Sequence, residues 1–311
     1  MLQRRQRVQI RGSYAPWITI STGVPQGSVL GPLLFNIYLS DLPSSLFVSN
    51  NSYADDFKIF GPAIDHFLQA ALNQVFSWAN RNGLILNPDK CTVLHFGFNN
   101  PNFNYYIGSK ILATNSAHRD LGIIVDNKLT FGQHVDFIIN KATRTAHYIL
   151  KKFTHLDTSY FSLLYKTFIR PILEYCSQIC RPFHSTLFHK LECCQRRLTK
   201  WCNSIRHLTY EERLQRLKLT TLQGRFNRGD VILTFQILKG LFNINSTDFF
   251  VYNFSRTRGH SLKIQGSTAK LNCRQHFFTE RVVSLWNSLP ENVISAPSLN
   301  SFKSRFDAWM R

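Results

Sequence analysis

Long apolar runs are missing from this chain. The longest, 231–242, is interrupted by Gln236 and Lys239 and falls short of the ~20 residues a bilayer crossing takes, which excludes a membrane span there. The charged opening Met1-Leu2-Gln3-Arg4-Arg5 is followed by no apolar core of a secretory signal. The expectation is therefore a soluble intracellular protein of the nucleus or cytoplasm, not a secreted one. Its seven cysteines then read as thiols or metal ligands rather than disulfides. Internal repeats and low-complexity tracts are also absent, and 44% hydrophobic residues place the chain among globular proteins. At ~150 residues per domain, 311 residues allow two domains.

Acids are scarce as well, 18 against 37 Lys and Arg, and the first forty residues contain none. The imbalance is local. Residues 41–140 hold six basic and eight acidic side chains, whereas 141–270 hold 22 basic and seven acidic. A mildly acidic region followed by a strongly basic one implies a polyanionic partner, because phosphate contacts release counterions and raise affinity.

Where acids do occur, two are adjacent. Tyr53-Ala54-Asp55-Asp56 lies between the apolar runs 46–48 and 57–60, which predicts a tight hairpin presenting both carboxylates at its turn. Neighbouring carboxylates repel unless a divalent cation neutralises them. A two-metal site holds ions ~3.5–4 Å apart that activate an attacking oxygen and stabilise the leaving group. Strands are predicted around the turn Arg11-Gly12-Ser13 and at 92–96, 105–113 and 121–125. A short buried helix follows the glycine-rich block 23–32, and an amphipathic helix runs from Pro62 to Gly83. From His134 the pattern turns helical, with the apolar stripe Val135, Ile138, Ile139, Ala142, Ala146, Ile149, Leu150 and Phe153, and further helices at 160–173, 186–203 and 211–242. The fold class is α+β. Residues 243–267, rich in Asn, Ser and Gly, read as a linker.

Two further blocks flank the acidic pair: Val24-Pro25-Gln26-Gly27-Ser28-Val29-Leu30-Gly31-Pro32 upstream and Asn82-Gly83-Leu84-Ile85-Leu86-Asn87-Pro88-Asp89-Lys90-Cys91 downstream. In this order and spacing the three blocks resemble the palm of a reverse transcriptase from a non-LTR, LINE-type retrotransposon of the jockey-like group. The final segment, from Arg281-Val282-Val283-Ser284-Leu285-Trp286 to Trp309, resembles the tail of the same elements, so the resemblance covers nearly the whole chain. It implies an RNA-directed DNA polymerase with an RNA template, a DNA primer or target end, dNTPs and Mg2+. Asp55 and Asp56 would be metal ligands. Pro25, Gln26, Gly27, Ser28, Tyr53 and Ala54 would lie near template and nucleotide, and Lys90 near the pyrophosphate, with Asn87 capping its loop. The resemblance divides the chain into a partial right-hand palm at 1–130, an antiparallel sheet with helices on one face, and a helical thumb region at 131–242. The linker 243–267 and a C-terminal tail segment at 268–311 complete it. On the thumb, Lys141, Arg144, Lys151, Lys152, Arg196, Arg197 and Lys200 would grip nucleic-acid backbone without reading sequence.

Cys176-x3-Cys180-x8-His189-x4-Cys194 fits the loose Cys/His motif of some other LINE-type elements, which would make a tetrahedral zinc site. The surrounding residues instead resemble jockey-like helices that hold no metal, which favours buried thiols. The family also uses a third carboxylate on the strand before the Pro-Gln-Gly loop, where this chain has no acid. The expectation is a sequence that begins downstream of that ligand and is inactive alone. The alternative is a non-catalytic, basic RNA- or DNA-binding relic.

Overall fold

The computed structural model describes residues 4–20, 23–25, 27–64, 66–153, 156–253 and 259–310. The chain divides into two compact units, 1–115 and 116–311. The boundary thus falls ahead of the expected one near 130.

In the first unit, Arg4–Gln6 (β1) pairs antiparallel with Ile18–Ile20 (β4), enclosing the hairpin Gln9–Ile10 (β2) with Ser13–Tyr14 (β3). The helix Gly31–Leu39 (α1) follows, then the hairpin Ser49–Tyr53 (β5) with Asp56–Phe60 (β6). The helix Phe67–Arg81 (α2) begins five residues later than Pro62 suggests, after His66 in the left-handed region at φ 58°. Gly83 ends it at φ 71°, a conformation that costs glycine no steric penalty. Thr92–Val93 (β7), Tyr106–Ile107 (β8), Lys110–Ile111 (β9) and Ala113–Thr114 (β10) complete the unit. Helix α2 buries two sides. Val75, Trp78 and Ala79 pack with Leu39 and Leu42, while Leu68, Leu72 and Phe76 pack with Tyr105, Ile107 and Leu112.

Two expectations change here. No continuous antiparallel sheet forms among the described residues: the strands pair two by two, and β7 with β10 is parallel because the β8–β9 hairpin lies between them. Helix α1 forms, but Leu33 and Ile37 are exposed, since only one edge of it reaches the core through Phe35 and Leu39.

The second unit opens with Ala117–Asp120 (β11) paired to Ile123–Asp126 (β12). The buried Asp126 carboxylate accepts from the Lys128, Thr130 and Phe131 amides at 3.1, 3.0 and 2.6 Å, which folds the chain into the helix Gly132–Lys152 (α3). Helices Thr158–Leu164 (α4), Arg170–Glu174 (α5), Ser177–Cys180 (α6) and Ser185–Thr199 (α7) follow, with one π-turn at Tyr165–Ile169 between α4 and α5. The single helix expected at 211–242 is two, Tyr210–Leu217 (α8) and Leu222–Leu238 (α9). They are parted by Lys218 in the left-handed region at φ 50°. A capping box between Thr209 and Glu212 starts α8, and the Thr221 hydroxyl accepts from the Gly224 amide to start α9.

Residues 243–267 do more than link. Val251–Tyr252 (β13) pairs with Ile264–Gln265 (β14), and Phe250, His260 and Ile264 are buried. The last helices are Asn272–Gln275 (α10), Phe278–Asn287 (α11), Glu291–Ile294 (α12) and Leu299–Trp309 (α13). They enclose Trp286, Phe302 and Phe306 against Val231 and Phe235 of α9, so the expected tail is part of the core. No helix among the described residues is long and apolar enough to cross a membrane.

Candidate functional site

The acidic hairpin forms as its flanking pattern predicts, with Tyr53 opposite Asp56 across the β5–β6 pair. Asp55 sits in the two-residue turn and Asp56 is the first residue of β6, so the turn carries one of the two acids and the strand the other. Ala54 holds φ 53°, a left-handed conformation usually left to glycine. Tyr53, Asp55 and Asp56 are exposed.

Upstream, Gln26 lies outside the described residues, but its neighbours form a braced loop. The Ser28 hydroxyl donates to Pro25 O at 2.8 Å and accepts from the Gly31 amide at 3.0 Å. Gly27 has φ 78° and open space where a side chain would stand. Gly31 is different: a Cβ there would meet Pro25 O at 2.9 Å, so the loop can fold onto the start of α1 only over a glycine. Downstream, Asn87 caps the turn Pro88–Lys90 by accepting from the Asp89 amide at 3.0 Å. Asp89 pairs with Lys110, and Lys90 is exposed.

One apolar cluster ties these three stretches together. Phe35 and Leu39 come from the helix after the Pro25–Ser28 loop, Phe57 and Ile59 from the acidic hairpin, and Leu84 and Leu86 from the run before Lys90. All pack around Val75, Trp78 and Ala79 of α2. Motifs separated by about 25 and 30 residues thus share one core, which neither the spacing nor the periodicity reveals.

In the second unit Lys141, Arg144, Lys151 and Lys152 are exposed on α3, and Arg196, Arg197 and Lys200 are exposed on or just after α7. Helices α3 and α7 bury Val135, Ile138, Ala142, Leu191, Cys194 and Leu198 in one cluster. Arg197 Nη2 donates to Thr143 Oγ1 of α3 at 3.0 Å, which joins the two basic stretches. Arg196 lies over the Tyr210 ring at 4.9 Å, and Trp201 meets His147 edge-on.

The four candidate zinc ligands are not gathered. Among the described residues no three His, Cys, Asp or Glu side chains stand as a metal ion would need. His189 instead faces Cys193, one turn along α7, with Nδ1 3.5 Å from Sγ. Cys180 donates to Cys176 O at 3.1 Å, and burial, aided by Cys176, pushes its thiol up to about 12. Burial also raises Cys194. Cys180 and Cys194 are buried among apolar neighbours, whereas His189 is exposed.

One buried cluster escaped the sequence altogether. The Asp230 carboxylate, 3% exposed, accepts from Arg281 Nε and Nη2, each at 2.8 Å, and from Arg181 Nη1 at 3.0 Å. Arg281 Nη2 also donates to the carbonyls of Ser177 and Gln178. Burial lowers the Arg181 guanidinium, Asp230 opposes that shift, and Arg281 adds to it.

Residues 2–143 match the family Reverse transcriptase (RNA-dependent DNA polymerase). That match takes in just under half of the chain, and the chain is similar to RNA-directed DNA polymerases of mobile elements. It is 28% identical over 195 residues to the RNA-directed DNA polymerase from mobile element jockey of Drosophila melanogaster, covering 57% of this chain and 21% of that protein. It is 27% identical over 243 residues to the probable RNA-directed DNA polymerase from transposon X-element of the same organism, covering 72% and 26%. The corresponding protein of transposon BS is 32% identical over 155 residues, covering 42% and 16%. The chain therefore spans about a quarter or less of the length of these relatives. No solved structure matches it.

Proposed function

We propose that the first unit is part of a nucleotidyl-transfer site that joins dNTPs to a DNA 3′ end against an RNA template. One apolar cluster holds Phe35 and Leu39 after the Pro25–Ser28 loop, Phe57 and Ile59 beside Asp55 and Asp56, and Leu84 and Leu86 before Lys90, and this supports the reading most directly. Asp55 and Asp56 offer the oxygen donors that suit Mg2+, which binds through one or two carboxylates plus waters and substrate phosphates. Bound there, Mg2+ would supply charge stabilisation for the attacking oxygen and the departing pyrophosphate. The loop from Pro25 to Ser28, Gln26 included, with Tyr53 and Ala54, would border the template base and incoming nucleotide, and Lys90 would lie near the phosphates. The basic face of α3 and α7 would hold the duplex by its backbone, through Lys141, Arg144, Arg197 and Lys200.

Two carboxylates are fewer than this chemistry uses, and no third acid joins them among the described residues. The chain alone should therefore bind nucleic acid with strong salt dependence yet leave a primer unextended. This makes a non-catalytic RNA- or DNA-binding role the second reading, carried by the same absence of a third acid. Primer extension on an RNA template with Mg2+ and dNTPs, beside Asp55→Ala/Asp56→Ala, separates the readings. Incorporation that the variant abolishes overturns the claim of inactivity. Failure of both the chain and a version extended upstream by a family-type palm strand removes the polymerase reading.

A further inference from the structure

A cleft of ≈ 800 Å3 opens in the second unit between the start of α7, α9 and α11. Its volume falls within the ~300–1,000 Å3 of clefts that take small ligands. Phe183 and His276 line it as a stacked pair, rings 13° from parallel and centroids 6.0 Å apart. At its buried end lies the Arg181–Asp230–Arg281 cluster, in which two guanidinium groups share one carboxylate and keep a net positive charge. The hydrogen bonds of Arg181 to Asp230 and Asn227 use two of its five N–H donors. The cleft's other carboxylate, Glu192, is held by the Leu222 amide at 3.0 Å and by the Tyr210 hydroxyl. Helix α7 begins beside the cleft with no side-chain cap on its first-turn amides, which adds positive potential there.

A stacked aromatic pair beside a buried cation pair suits a ligand with a planar ring and an anionic group. The surrounding segment, with 22 basic and seven acidic residues, favours a polyanion as its source. We infer that the cleft seats one unpaired nucleotide of a single-stranded nucleic acid, with its base against the Phe183–His276 pair and its phosphate at the Arg181 end. The inference rests on the nucleic-acid reading of this unit. It adds a site, separate from the basic face of α3 and α7, that duplex backbone cannot fill.

The test uses the full chain with a labelled 12-nucleotide oligo(A) and, separately, AMP. In a Phe183→Leu/His276→Ala variant, oligo(A) binding should fall about ten-fold with its salt slope unchanged, since stacking rather than a phosphate contact is lost. Ser185→Glu, an exposed change at the cleft edge, should weaken binding without touching the core and so guards against a misfolded double variant. A photoreactive uridine placed in the strand should cross-link near 183 or 276. If wild-type chain and cleft variants bind oligo(A) equally, the inference fails while the nucleic-acid reading stands. If the chain binds neither probe, both fail. Loss of AMP binding alone in the variants, with oligo(A) unaffected, overturns the strand and makes the occupant a free nucleotide.

Discussion

Asp230 gives the sharpest energetic test. Three charge-assisted hydrogen bonds converge on it, at 2.8, 2.8 and 3.0 Å, in a site where its side chain is 3% exposed. At about 1.5–3 kcal/mol each, a simple sum would reach 9 kcal/mol, but contacts within one network are not additive. Removing one partner of a buried ion pair costs about 3–5 kcal/mol, because the remaining charge stays buried. Asp230→Asn keeps the shape and one acceptor oxygen, which places it at the lower end, near 3 kcal/mol. The assay is urea unfolding of the full chain followed by tryptophan fluorescence, with Trp201 and Trp286 reporting on the second unit. With m of about 2–3 kcal/mol/M, the midpoint of that unit should fall by about 1–1.5 M. The control is Lys190→Ala. It removes a 3.3 Å pair with Asp136 whose side chains are 55% and 57% exposed, and such pairs contribute about 0–1 kcal/mol. An Asp230→Asn shift no larger than that of Lys190→Ala would refute the argument that the cluster holds the unit together.

Three more outcomes follow from the same structure. Trp286→Ala should cost about 3–5 kcal/mol in the same denaturation assay, since it empties a fully buried site and strands Leu262 O, which accepts from Trp286 Nε1 at 2.7 Å. Acid should loosen the second unit: burial lowers both His134 and His260, whose Nδ1 atoms accept from the amides of Ile124 and Leu262 and so favour the neutral rings. The unfolded chain protonates first, so this stability is complete above about pH 6.5 and is lost as pH falls through the lower folded values. A melting temperature that stays flat or rises between pH 7 and pH 5 would contradict it. On the basic face, Lys141→Ala should weaken binding to RNA and DNA alike and reduce the salt slope by about 1, as read by anisotropy across a salt series.

What the sequence makes legible is local. The apolar flanks of Asp55 and Asp56 predict the hairpin, and the stripe from Val135 to Ala146 predicts the buried side of α3, because both are short-range periodicities. Lys218 breaks the predicted helix at 211–242, yet a lysine in the left-handed region carries none of glycine's signal. In 243–267 the Asn, Ser and Gly composition hides three anchors, Phe250, His260 and Ile264, whose burial depends on partners further along the chain. Asp230 and Arg281 stand 51 residues apart and read as ordinary solvated charges until the fold brings them together. The strand predictions at 92–96 and 105–113 found the right places but overestimated the lengths, since each ribbon there pairs for two residues. The core that Phe35, Phe57, Ile59 and Leu84 share is likewise a product of tertiary packing around Trp78.

The Arg281 clamp also sets an order of events during synthesis. Its guanidinium closes on the carbonyls of Ser177 and Gln178, and the bond to Ser177 spans 104 positions. At roughly 5–20 residues per second, a ribosome takes about 5–20 s to travel that distance. Throughout that interval α6 exists without the Arg281 donor to its first two carbonyls, and Asp230, once made, waits with only Arg181 for a partner. The bidentate Arg228–Asp307 pair, 79 positions apart, closes later still. A message cut short before codon 281 therefore yields a unit in which Asp230 keeps only its bond to Arg181 and the Ser177 and Gln178 carbonyls lack the Arg281 donor.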